Sequence, residues 1–205
     1  MILECVCVGS LEVNCYILAE AEGKEAIIID PGSDCQRIKQ ALSRHRLRPA
    51  LVINTHGHVD HIGCDDEFGL PLYIHADDVG LLRSEEKNLS NFVSTGFTVK
   101  SAVKELKEGD YIELNKIKLL VIHTPGHTPG GISLLLESPE NNKLFSGDTL
   151  FCHSVGRTDF PGASHEALIK SIKDKLLILP NDTIVYPGHG PTTTIAAEKK
   201  NNPFL

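Results

Sequence analysis

The stretch THGHVDH, residues 55–61, sets three histidines and an aspartate within seven positions. The apolar run ALVINTH (50–56) leads into it, so the cluster lies where a buried strand ends. A strand end is rigid while the loop beyond it can be shaped freely, which suits a site built from several segments. Imidazoles and carboxylates together are ligands for borderline and hard divalent metals. A single His-x-His is common in exposed turns, so the meaning of 55–61 depends on partners elsewhere.

Three more strand ends supply them. HTPGHTPGG (123–131) places His127 in a Gly/Pro turn, FSGDTLF (145–151) ends a strand at Gly147-Asp148, and VYPGHGP (185–191) ends the last strand at His189. The candidate ligands are therefore His56, His58, Asp60, His61, His127, Asp148 and His189. That set holds five imidazoles, two carboxylates and no thiolate, which suits zinc, with iron or manganese next, and disfavours a soft sulfur site. Seven ligands exceed what one tetrahedral ion takes and match two ions sharing a carboxylate and a water. His45, His75, His153 and His165 read as solvated or capping side chains. His123 reads as a satisfied core histidine or as a donor to a ligand.

The rest of the chain narrows the class. Its 205 residues are enough for a buried core without staples, and 41% hydrophobic with 23% charged residues is an ordinary soluble composition. A formal charge of -7 argues against a nucleic-acid or anionic-membrane partner. MILECVCVGS has no charged leader before an apolar core, and no run approaches the roughly 18 apolar residues of a membrane helix. Six scattered cysteines, without C-x-x-C, read as reduced thiols of a cytoplasmic protein, Cys5 and Cys7 among them as core residues of a strand.

Periodicity predicts strands at ILECVCV, NCYILAE, EAIIIDPG, ALVINTH and LPLYIHADD in the first half. Ser33 or Asp34 is placed to cap a helix through CQRIKQALSRH. In the second half YIEL, IKLLVIHTPG, GISLLLE, KLFSGDTLF and TIVYPGHG read as strands, and SHEALIKSIKDKLLIL as an amphipathic helix. No linker divides the halves, so we expect one layered α/β domain over residues 1–205. The polar segment 84–100 reads as either a lid or a connection.

THGHVDH, GHTPGG, GDTLF and GHG in this order resemble the metallo-β-lactamase superfamily, over nearly the whole chain. The resemblance implies an α/β fold of the αββα sandwich type, two mixed sheets with outer helices and metals at one edge. It implies one metal on His56, His58 and His127, and a second on Asp60, His61 and His189, with Asp148 bridging. Asp60 and Asp148 then carry the chemistry as well as the metals. Asp148 stands where zinc β-lactamases place a cysteine, a departure that points away from antibiotic hydrolysis.

Within the superfamily, GDTLFCHSVGRTDFPGAS and TTTIAAEKKNNPFL resemble short bacterial glyoxalase II-like hydrolases. The resemblance implies hydrolysis of thioesters such as S-lactoylglutathione by a metal-bridging hydroxide, with no Ser/His/Asp triad needed. The expected partner is thus a small-molecule thioester. The glutathione-holding helical domain of full-length glyoxalase II has no counterpart before Leu205, and Gly190-Pro191 replaces a tyrosine that touches glutathione. Arg157, Lys199 and Lys200 are the remaining candidates for gripping substrate. GRTDF also resembles persulfide dioxygenases of the same fold, whose single iron would map onto His56, His127 and Asp148.

Overall fold

Every residue of Val13–Ala19 is buried, while its neighbour Ile2–Val8 is buried only in part. That contrast marks a central strand beside an edge strand, and it organises the first half of the chain. The computed structural model describes residues 1–93, 95–137 and 142–205. It resolves into two compact units, one of Met1–Leu106 with Glu113–Ile117 and one of Lys107–Ile112 with Lys118–Leu205.

The first unit is built on a mixed sheet in the order β1 (Ile2–Val8), β2 (Val13–Ala19), β3 (Glu25–Ile29), β4 (Arg48–Ile53), β5 (Leu72–His75) and β6 (Val103–Leu106). The first three strands run antiparallel and the last three join β3 in parallel. Parallel neighbours need crossovers, and α1 (Cys35–Arg44) provides the one between β3 and β4. It buries Ile38, Ala41 and Leu42, spaced at i, i+3 and i+4, in a core with Ile17, Ile28 and Val52. Four single-turn helices follow: α2 (Val59–Ile62), α3 (Asp65–Phe68), α4 (Val79–Leu82) and α5 (Ser90–Val93).

The second unit carries the start of β7 (Tyr111–Leu114), nearly all of β8 (Ile117–His123), and β9 (Ile132–Leu136), β10 (Lys143–Gly147), β11 (Leu150–Phe151), β12 (Ser154–Val155), β13 (Ile184–Pro187) and β14 (Thr193–Thr194). Its main sheet has the order β14-β13-β10-β9-β8-β7, with β10 and β13 parallel, while β11 and β12 form a small hairpin. The helices are α6 (His165–Ser171) and α7 (Ile195–Asn201). Ser164 caps α6 by accepting from the Ala167 N–H, and Thr194 caps α7 likewise.

Four expectations need correction. Cys5 and Cys7 are exposed, and Val6 and Val8 are the buried pair, because a period of two sends alternate residues to opposite faces. The cysteines are not all reduced, since Cys35 and Cys64 form a disulfide and Cys5, Cys7, Cys15 and Cys152 are free. Asp34 precedes α1, but its carboxylate accepts from the Gly9 N–H and does not cap the helix. The helix expected over 164–179 ends as a π turn at Ile172–Leu176. Leu168, Ile172 and Leu176 follow at steps of four, and the wider turn keeps all three on the core-facing side.

Candidate metal centre

In the first unit the ligand cluster follows β4. Beyond Ile53 the buried Asp30, which ends β3, accepts from the Thr55 N–H at 2.7 Å and from the Thr55 hydroxyl at 2.7 Å. The same carboxylate lies 3.0 Å from His61 Nδ1. A carboxylate accepts, so Nδ1 of His61 carries the proton and Nε2 is the nitrogen it presents to a cation. Asp30 has φ 51°, a left-handed conformation that Asp tolerates better than most residues, and it turns the carboxyl back under the cluster. The His56 ring lies 4.8 Å from that of His58 and 4.1 Å from that of His61, centre to centre. Asp60 Oδ2 is 3.8 Å from His61 Nε2.

The turn carrying these residues is held from below. Asp78, fully buried, accepts from the Gly57 N–H at 3.1 Å. Asn54 donates to the His61 carbonyl at 3.3 Å and to Asp65 at 3.2 Å. Burial pushes the Asp65 carboxyl well above the usual carboxylate range, while the Asn54 amide donates to it beneath the turn. A Cβ on Gly32 would come within 1.5 Å of the Asp60 carbonyl, so the loop after β3 packs backbone to backbone against the ligand turn. The Cys35–Cys64 disulfide joins the two segments beside that contact.

In the second unit three ligands cluster at strand ends. His127 follows β8, and its Nδ1 donates to the Arg157 carbonyl at 2.7 Å, which again presents Nε2. Asp148 follows β10 and His189 follows β13; the Gly188 N–H donates to the Gly147 carbonyl at 2.8 Å and ties these two turns together. Asp148 Oδ2 is 3.6 Å from His127 Nε2 and 3.6 Å from His189 Nε2. Two ligands sharing one tetrahedral ion, with bonds of about 2.1 Å, stand about 3.4 Å apart. The Asp148 carboxylate is therefore spaced to share a cation with each imidazole. The Thr124 hydroxyl lies 3.0 Å from that of Thr149 and 3.2 Å from that of Ser133, bracing the strand end behind Asp148. A Cβ on Gly156 would meet the Asp148 carbonyl at 1.8 Å.

The chemistry of these donors fits divalent cations. In the two units His61 and His127 are oriented by protein acceptors, and Asp60 and Asp148 each stand 3.6–3.8 Å from an imidazole nitrogen. The structure brings His56, His58, Asp60 and His61 together in one unit, and His127, Asp148 and His189 in the other. It gives two of the three proposed substrate clamps other partners. Arg157 makes a two-pronged pair with Asp159 at 3.0 and 2.8 Å, Lys199 donates to Asn181 at 2.7 Å, and Lys200 is exposed. His45 pairs with Glu4 at 2.8 Å, His75 accepts from the Asp77 N–H as a cap, and His123 Nε2 lies 2.9 Å from the Pro129 carbonyl.

Sequence reasoning missed Asp30, Asp78 and the Arg157 carbonyl. Asp30 had a signal: IIIDPG ends a strand with an acid before a turn, as SGDT does at Asp148. Asp78 lies in ordinary helical surroundings, and a backbone carbonyl leaves no mark in sequence.

Mixed sheets whose strand ends carry oriented histidines and aspartates define a metal-dependent hydrolase fold. Residues 8–189 match the metallo-beta-lactamase superfamily model, and the chain belongs to that superfamily. It is 36% identical to the hydroxyacylglutathione hydrolase GloC of Haemophilus influenzae, over 100% of this chain and 98% of that protein. Among solved structures it is similar to the BLEG-1 B3 metallo-beta-lactamase, with 38% identity, a TM-score of 0.92, and 100% and 99% of the two chains covered. It is also similar to TTHA1623 in a di-iron-bound form, with 36% identity, a TM-score of 0.83, and 98% and 100% covered. The α/β metallo-β-lactamase fold is thus established. Among the described residues no helix is long and apolar enough to cross a membrane.

Proposed function

We propose that this protein is a thioester hydrolase using two divalent cations, with zinc as the first candidate. One cation is assigned to His56, His58 and His127, the other to Asp60, His61 and His189, and Asp148 to both. The observation that carries this reading is the equal 3.6 Å spacing of Asp148 Oδ2 from His127 and His189, which suits a shared ligand. When bound, such a pair of cations polarises a carbonyl oxygen and lowers the pKa of water from 15.7 toward about 7, making a nucleophile available at neutral pH. The chain's own part is positioning: Asp30 fixes the tautomer of His61, the Arg157 carbonyl that of His127, and Asp78 the turn bearing His56 and His58. A thiol leaves as its thiolate, since its pKa is about 8.5, so the site needs no general acid. The likeness to GloC supports the thioester class.

The likeness to BLEG-1 favours β-lactam hydrolysis as a second reading, through the same ligands. The experiment is metal analysis of protein purified without added metal, run beside assays with S-lactoylglutathione, simple acyl thioesters, a chromogenic cephalosporin and an oxygen electrode. We expect two metals per chain, thioester turnover and no oxygen uptake. Faster turnover of the cephalosporin than of any thioester would favour the second reading. One iron per chain with thiol-dependent oxygen uptake would overturn both.

A further inference from the structure

The first unit contains a cavity of about 360 Å³ that reaches Asp60. Its walls include Leu11 from the β1–β2 turn, Val59 beside Asp60, Val93, Phe97 and the Cys35–Cys64 disulfide. The size falls at the lower end of the roughly 300–1,000 Å³ usual for small-molecule sites. Val93 and Phe97, which line one side, belong to segment 84–100, read from sequence as a lid or a connection. Residue 94 lies outside the described residues. The wall is pinned: the Val59 N–H donates to the Asn88 carbonyl at 2.8 Å, and Asn88 Nδ2 to the Phe97 carbonyl at 2.9 Å. The Phe97 N–H donates to Ser90 Oγ at 2.9 Å, and Asn88 and Ser90 are both fully buried.

A thioester has two arms, and the cavity's chemistry selects between them. Among the described residues no Lys, Arg or His lines it, and its charged members are Asp34 and Asp60. A glutathione carrier, with its two carboxylates, would meet Asp34, and Arg37, outside the lining, is already paired with that carboxylate at 3.6 Å. An uncharged hydrocarbon arm would bury its surface against Leu11, Val59, Val93 and Phe97.

We infer that this cavity is the acyl subsite, and that it takes unbranched apolar acyl chains of about four to eight carbons. Which arm occupies it rests on the thioester reading above; that an apolar chain occupies it rests on the cavity. Leu11 is half exposed at the mouth and Val93 more so, which puts both where an entering chain makes contact.

The test uses the zinc-loaded full chain and acyl thioesters of N-acetylcysteamine, a neutral thiol, from acetyl to octanoyl. We expect kcat/KM to rise roughly fourfold per added methylene up to hexanoyl. Leu11→Asp sets a charge against the chain and should cut the hexanoyl-to-acetyl ratio by about tenfold or more. A direct binding measurement runs alongside. The protein has no tryptophan, so Val93→Trp supplies a single fluorescent reporter at the mouth. The thioether S-hexyl-N-acetylcysteamine should shift its emission to the blue, and the S-methyl analogue should not. Hydrolysis with no chain-length dependence would overturn the subsite and leave the hydrolase standing. Hexyl-selective binding without hydrolysis of any thioester would support the cavity and overturn the hydrolase. A reporter indifferent to both analogues would overturn the subsite.

Discussion

A carboxylate oxygen 3.6 Å from two imidazole nitrogens is spaced for a ligand that shares a cation with each. Asp148→Ala removes the one side chain assigned to both ions, so activity should fall by orders of magnitude and metal content should drop. Metal analysis with steady-state rates checks this; two retained ions and near-normal turnover would show the bridge misassigned. His165→Ala, at the exposed start of α6, should leave both quantities unchanged. Asp30 gives a finer test. Asp30→Asn keeps the shape but offers His61 Nδ1 a weaker, reorientable partner, and losses of this kind cost roughly 10–100-fold in metal affinity. Competition with a chromogenic chelator should show that loss in one ion of the two. At this scale the sequence was readable where side chains are of ligand type in turns, as with His127 and His189. It was silent where the partner is a backbone carbonyl, as with Arg157, and where a second strand must first be brought alongside, as with Asp30.

Elements were legible from periodicity and their exact ends were not. β2 and β9 are apolar except for Asn14 and Ser133, and every residue of both is buried. β1 was read with the wrong face inward, because ECVCV alternates between two residue types that both belong in cores. Chemistry separates the two faces. Cys5 is exposed as a residue, but its Sγ is part-buried and donates to Asn14 Oδ1 at 3.4 Å; that burial and neighbouring negative charge push the thiol up to about 11, so at pH 8 almost none of it is thiolate. Since the thiolate is the nucleophile, alkylation of Cys5 should be slow at pH 8 and should rise roughly tenfold per pH unit toward pH 11. Mass spectrometry after timed iodoacetamide would resolve it; rapid labelling of Cys5 at pH 8 would contradict the raised pKa. Burial pushes Cys15 up as well, and inside β2 it should label only on unfolding. The Cys35–Cys64 link, 29 residues apart, could not be read from spacing, since only the fold places α1 beside the ligand turn. Closing a loop of that length stabilises by about 3.6 kcal/mol in the chain-entropy model. A Cys35→Ser, Cys64→Ser double variant should therefore melt several degrees lower, and calorimetry showing no change would mean the thiols are free in solution.

The whole molecule adds what neither residue nor strand contains: the ligands proposed for the two cations come from four segments between His56 and His189. The unfolded chain does not hold those segments in place, so cations that bind only the folded form add to its stability. At a free concentration a hundredfold above the dissociation constant one site contributes about 2.7 kcal/mol. For a chain of this length that is roughly 5–10 °C in melting temperature. Protein stripped with a chelator at neutral pH should melt lower by about that much, and zinc should restore both the melting temperature and the activity. Calcium should restore neither, because it takes oxygen ligands and this set is mostly imidazole. The same titration on Asp148→Ala should show most of the zinc-dependent shift gone, while Lys200→Ala keeps it whole. If stripped and reloaded wild-type protein melt together while metal analysis confirms that the ions left and returned, the ligands do not bind the folded chain in preference to the unfolded one. The binuclear assignment would then fail.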